Sequence, residues 1–187
     1  GITPRLRELM VEHDARVHVL TPPPVMPINW MPYSRLYRWL LRLNGWIVRQ
    51  SIRRAMRHLN IKKPIVINAF NPFVGVPLAG GLDESLLIYY CYDEIRAARW
   101  SEHHGAVMEN RFIPLTDAVI TTSPGLYAGR KDRHSHVVLV RNGVDFELFH
   151  QAVRLPRPKN EKPVIGFIGS LDERVDCQLL ASAALAS

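Results

Sequence analysis

The stretch "DAVITTSPGL", Asp117 to Leu126, joins a short apolar run to a hydroxyl-rich break and a proline that opens the next helix. An apolar run of this kind, bounded by turn residues, predicts a strand buried in a parallel sheet. Its carboxyl end would carry Thr121, Thr122 and Ser123, with a helix starting at Pro124. In open α/β sheets that edge bears the binding crevice, and the N–H groups of a helix start attract anions. Ser123 would either cap its helix or meet a ligand there.

Similar runs lie on both sides. "PIVINAF" and "LLIYYCY" precede it and "HVVLV" comes after it, with a helix predicted from about Ser101 to Leu115. Continuous apolar strands alternating with helices predict an α/β fold: a Rossmann-like parallel sheet buried on both faces by flanking helices. Further upstream, Thr3-Pro4 predicts a helix over "RLRELMVEH", and "RVHVL", Arg16 to Leu20, a strand. "TPPPVMPINWMP" then places five prolines in twelve residues, which predicts a long, stiff loop.

A single helix is predicted from Ser34 to about Leu59, with Leu36, Leu40, Leu43, Ile47, Ile52, Met56 and Leu59 on one side and a kink at Gly45. Arginines and tryptophans interleave across Arg35 to Lys63, where much of the net charge of +7 is gathered. Three readings stand. The arginines form a solvated face over buried leucines and tryptophans, or they seat the protein on anionic lipid with Trp39 and Trp46 at the interface, or they bind nucleic acid phosphates.

Two cysteines in 187 residues indicate neither a disulfide framework nor a thiolate metal site, which suits a reducing compartment. No apolar run reaches the roughly 18 residues of a membrane span. A cytoplasmic protein, peripheral at most to the inner face of a membrane, is expected.

"RLPRPKNEK" has the composition of a linker, and "PVIGFIGSLDERVDCQLLASAALAS" starts afresh with a strand, a glycine turn and a helix. The expected organisation is a first α/β domain over residues 1–153, lacking its first strand, a linker over 154–162, and the strand–helix opening of a second Rossmann-like domain over 163–187. The sequence therefore reads as a fragment.

"RNGVD" ends the last strand of the first domain. Asn142-Gly143 is expected to turn sharply with positive φ, Asp145 to cap the segment after the turn, and Phe146, Leu148 and Phe149 to anchor that segment on the core. "NAFNPFVGVPLAGG", Asn68 to Gly81, is expected to loop over the same edge, with Asn68 and Asn71 either turn-forming or facing a ligand. Its glycines are spaced unlike a dinucleotide fingerprint or a P-loop. "YYCYDEIRAARW" brings Asp93 and Glu94 to a strand end, where paired acids bind a hydroxyl or stabilise developing positive charge. His103 and His104 are read as solvated, with a catalytic role as the alternative.

The ordered set of Asp117–Ser123, Asn142–Phe149 and Val164–Leu171, reinforced by "YYCYDE", resembles the retaining glycosyltransferases of family four, which have the GT-B fold. The resemblance covers residues 64 to 187 well and the first 60 in outline. It implies transfer of a hexose from a nucleotide diphosphate sugar to a saccharide or lipid-linked acceptor. It implies no metal, cofactor or nucleic acid partner. The first domain of such enzymes holds the acceptor and the second the donor, and reaction takes place in the cleft between them.

Carried over, the resemblance makes Asp93 and Glu94 catalytic candidates and Asn68, Asn71 and Ser123 acceptor-binding ones. Asn142, Gly143 and Asp145 form the cleft turn, and Gly169, Ser170 and Arg174 meet the donor phosphates. Tyr92 stands where the family often has histidine, and Val175-Asp176 where it has lysine–glycine. Those departures leave a non-catalytic α/β binding domain as the rival reading.

Overall fold

The computed structural model describes residues 4–11, 15–97, 101, 103–154, 166–169 and 175–185. The chain divides into two units, Gly1–Asn142 and Gly143–Ser187.

The first unit is an α/β fold of Rossmann-like kind. Strands β3 (Ile65–Ala69), β4 (Leu86–Cys91), β5 (Ala118–Thr121) and β6 (Val137–Leu139) form a parallel sheet in the order β3-β4-β5-β6. The register pairs Asn68 with Tyr89, Tyr89 with Val119, and Val119 with Val137. All four strands therefore end along one edge. Leu87, Tyr89, Cys91 and Val119 project from one face into a core closed by Phe112, Ile113 and Leu126. Those residues come from α3 (Gly105–Phe112), the 3-10 turn after it and α4 (Pro124–Ala128).

On the opposite face Ile88, Tyr90 and Ile120 of the central strands are half-buried, but the edge strands are more exposed than the sequence predicts. Ile65 and Ile67 are 63% and 59% exposed, and Val138 is 47% exposed. The helices of the core lie on the other side. β2 (Ala15–Thr21) pairs antiparallel with β1 (Arg5–Val11) in a separate two-stranded sheet and does not extend the parallel one.

β1 is itself a correction, since Thr3-Pro4 predicts a helix there. The valine-rich β2 offers a partner strand, and the register sets Leu6 opposite Leu20 and Glu8 opposite His18. Cross-strand pairs of that kind outweigh a local helix-start signal.

Helix α1 (Arg35–His58) forms as predicted. Ser34 caps it by accepting from Tyr37 N at 3.1 Å, and Asn60 with φ +57° lies just past its end in the left-handed region. Its buried face is Tyr37, Leu41, Asn44, Gly45 and Ser51, and not the predicted leucine stripe; Leu36 is 56% exposed. Gly45 leaves the helix unbroken. A Cβ there would overlap Pro77, so glycine lets α1 lie close against α2 (Pro72–Leu78). That short helix occupies the stretch predicted as a loop.

In the second unit, α5 (Phe146–Arg154) starts where Leu148 N donates to Asp145 Oδ1 at 3.0 Å, so Asp145 caps it as expected. Phe146, Leu148 and Phe149, predicted to anchor on the core, are exposed. α6 covers Cys177–Leu185. The predicted strand at Pro163 falls largely outside the described residues, and residues 166–168 carry no regular structure.

Candidate functional site

β4 ends at Cys91 and β5 at Thr121, so the segments beyond them emerge side by side. Thr122 Oγ1 donates to Tyr92 O at 3.2 Å and ties the two together. Between them lies an open hollow of about 450 Å³ lined by Tyr92, Asp93, Glu94, Thr122, Ser123 and Asn142, with Gly125 and Leu126 at its α4 side. All eight of these residues come from three separated stretches of sequence singled out for function. The parallel register is what brings them together.

Asp93 is exposed. Its Oδ1 accepts from Glu94 N at 2.8 Å, which fixes its orientation, and it makes no ion pair with any described residue. Glu94 differs. Arg130 holds it with Nη1 3.2 Å from Oε2 and Nη2 3.4 Å from Oε1. Burial alone would raise the Glu94 carboxyl, but the hydrogen bond and charge of Arg130 outweigh burial and hold it below the ordinary range. Glu94 is thus a fixed carboxylate and not a proton donor near neutrality.

Arg130 is buried and pins Glu94 from beneath the hollow. Its Nε and Nη2 also donate to Glu109 Oε1 at 3.0 and 2.8 Å. Glu109, fully buried, further accepts from Tyr89 Oη at 3.0 Å and from Arg133 Nη1 at 3.0 Å. A buried carboxylate is stable only with such a set of donors. Burial would lower the Arg130 pKa, yet the adjacent Glu109 charge raises it, so the guanidinium stays charged. Burial pushes the Cys91 thiol up to about 11, with Arg130 opposing, which leaves it protonated and unreactive.

Sequence reasoning does not reach Glu109 and Arg130. The available signal is an acid on the apolar stripe of "GAVMENRF", where Gly105, Met108, Glu109 and Phe112 are buried together. Such an acid needs a partner, but nothing local names Arg130, 21 positions away.

Ser123 Oγ accepts from Leu126 N at 3.3 Å, so Ser123 caps α4 and also lines the hollow. Asn68 and Asn71 do not line it. Asn68 Nδ2 donates to Asn71 O and Asn71 N to Asn68 Oδ1, each at 3.0 Å, while Val74 N donates to Asn71 Oδ1 at 3.3 Å. These two residues form the turn into α2.

Neither Asn142 nor Gly143 has positive φ, against expectation. Val140 N still donates to Thr121 O at 2.8 Å, and the chain leaves the short β6 without regular structure, so no tight turn is needed. Gly169 does adopt φ +156°. Ser170 and Arg174 lie outside the described residues. His104, read as solvated, is buried, with Nε2 2.7 Å from Met31 O; it fastens the proline-rich loop to α3.

On α1 the one of the three readings that buries the tryptophans fails: Trp39 and Trp46 are 59% and 56% exposed. They share the helix with seven arginines and no carboxylate. None of those arginines pairs with an acid among the described residues. Among the described residues, no helix is long and apolar enough to cross a membrane.

Comparisons with protein-family models, curated proteins and solved structures find no match for this chain.

Proposed function

We propose that the protein is a retaining glycosyltransferase similar to family four of the GT-B fold, moving a hexose from a nucleotide diphosphate sugar to a saccharide or lipid-linked acceptor. The observation that carries this reading is the hollow where Asp93, Glu94, Ser123 and Asn142 meet at the strand ends. Asp93, held by one oxygen only, accepts a hydrogen bond from an acceptor hydroxyl. Glu94, kept ionised by Arg130, stabilises positive charge developing at the sugar carbon. In the second unit, Gly169, Ser170 and Arg174 are assigned to the donor diphosphate.

The test is release of free nucleotide from UDP-, GDP- and ADP-sugars, with and without saccharide or lipid acceptors. Release with one donor above a no-enzyme control supports the reading and names the donor. Silence across the panel, from folded protein, favours the non-catalytic binding domain.

The exposed tryptophans favour a further element of this reading, peripheral association with an anionic membrane through α1. Indole rings flanked by arginines suit the headgroup boundary, and a lipid-linked acceptor would be met there. Nucleic acid binding, for which outward-facing tryptophans could stack bases, is told apart by a steep loss of affinity with salt for DNA or RNA.

A further inference from the structure

The proline-rich loop, α1 and the start of α2 enclose a second hollow of about 570 Å³, apart from the one at Asp93. Its floor is the buried Ile28, Leu41 and Phe73. Met26 and Trp30, 39% and 74% exposed, stand at its rim, and Val48 lines its α1 wall. The loop is a built wall. Asn44 on α1 accepts from Met26 N at 3.0 Å and donates to Met26 O at 2.9 Å; Trp30 Nε1 donates to Pro27 O at 2.8 Å; and His104 holds Met31 O.

The same bonds decide what the hollow can bind. Both ends of the Asn44 amide are engaged with the loop, and Asn71 Oδ1 is engaged with Val74 N. What these residues leave facing a ligand is chiefly hydrocarbon. The volume falls within the roughly 300–1,000 Å³ of sites that take one small molecule. The α1 helix that lines the hollow through Leu41, Gly45 and Val48 also carries arginines outside it: Arg38 lies over the Tyr33 ring, and Arg42 and Arg49 line a separate hollow beside Trp46, Arg49 donating to Pro77 O.

We infer that this hollow holds one alkyl or prenyl chain of an anionic, membrane-borne lipid, whose phosphate stays outside the hollow on the arginine-bearing side of α1. The inference deepens the proposed function: identifying that lipid as the acceptor rests on the glycosyltransferase reading, whereas the chain site itself does not.

The test is calorimetric titration of the protein with n-alkyl phosphates of six, eight and ten carbons, below their micelle concentrations, and with an uncharged ten-carbon glucoside. Each added methylene is expected to tighten binding about fourfold. Met26→Asp at the rim and Val48→Phe in the wall are expected to weaken the ten-carbon phosphate at least tenfold and to flatten the dependence on length. Leu115→Gln, at an exposed residue that does not line the hollow, should leave it unchanged. The glucoside should bind more weakly than its phosphate counterpart.

Affinity independent of chain length overturns the inference, as does Met26→Asp binding like the wild type. So does a protein that self-associates through this face and excludes the probe. The readout needs no donor sugar, so failed nucleotide release leaves the chain site standing, and failed chain binding leaves nucleotide release to be judged separately.

Discussion

Arg130 and Glu94 meet at 3.2 Å across 36 residues of sequence, the guanidinium buried and the carboxylate at the lip of the hollow. A charge at the site is thereby fixed from the interior. Arg130→Met removes the shared partner of Glu94 and Glu109 and leaves the buried Glu109 with fewer donors. A loss of about 3–5 kcal/mol in denaturant unfolding is expected, with Arg130→Lys restoring part of it. A loss under about 1 kcal/mol would show the network to be dispensable.

Glu94 makes stability fall in acid. Its folded-state carboxyl lies below the usual 4.5, so its contribution is present above that value and disappears as pH falls through the lower, folded one. Thermal melts of wild type and Glu94→Gln should differ near neutrality and converge in acid below about 4.5.

Cys91 titrates in the other direction. Its folded pKa of about 11 exceeds the usual 9.0, so its stabilising contribution is complete below pH 9 and is lost as pH rises toward 11. With a chromogenic disulfide at about pH 8, the exposed Cys177 should react quickly and Cys91 only on unfolding.

Asp93→Asn should lower turnover about 100-fold or more, while leaving stability within about 0.5 kcal/mol, since the residue is exposed. Steady-state nucleotide release and a melting curve check both halves. Unchanged turnover would remove Asp93 from the chemistry.

Replacing Trp39 and Trp46 by glutamine should abolish sedimentation with vesicles containing anionic lipid and leave the melting temperature nearly unchanged. Binding to purely neutral vesicles should be weak for both proteins. Equal sedimentation of both proteins with anionic vesicles would return α1 to a solvated face.

The strands of the parallel sheet are legible because each is a continuous apolar run between turn residues, and the strand ends in turn locate Asp93, Glu94, Ser123 and Asn142. β1 is not, because pairing with β2 decides it. α2 is hidden by Gly75 and Pro77, which argue against a helix locally. Gly75 is needed there because a Cβ would come within 2.6 Å of the Phe112 ring. The inward face of α1 escapes the pattern because leucine spacing fixes a stripe but not its packing partner; Gly45 and Pro77 select another face. The partnership of Glu109 with Arg130 arises from tertiary packing alone.

The composition of α1 also means that the helix works against itself. Arg38 and Arg42, Arg49 and Arg53, and Arg53 and Arg57 stand four residues apart, and Arg35 and Arg38, and Arg54 and Arg57, three apart. Like charges so placed cost roughly 0.2–0.5 kcal/mol per pair, about 1–2.5 kcal/mol over the five pairs. That self-repulsion is relieved by any surface of opposite charge, so an anionic bilayer would tighten the helix as well as hold it. The wall of the hydrocarbon hollow would then be firmest where the lipid is found.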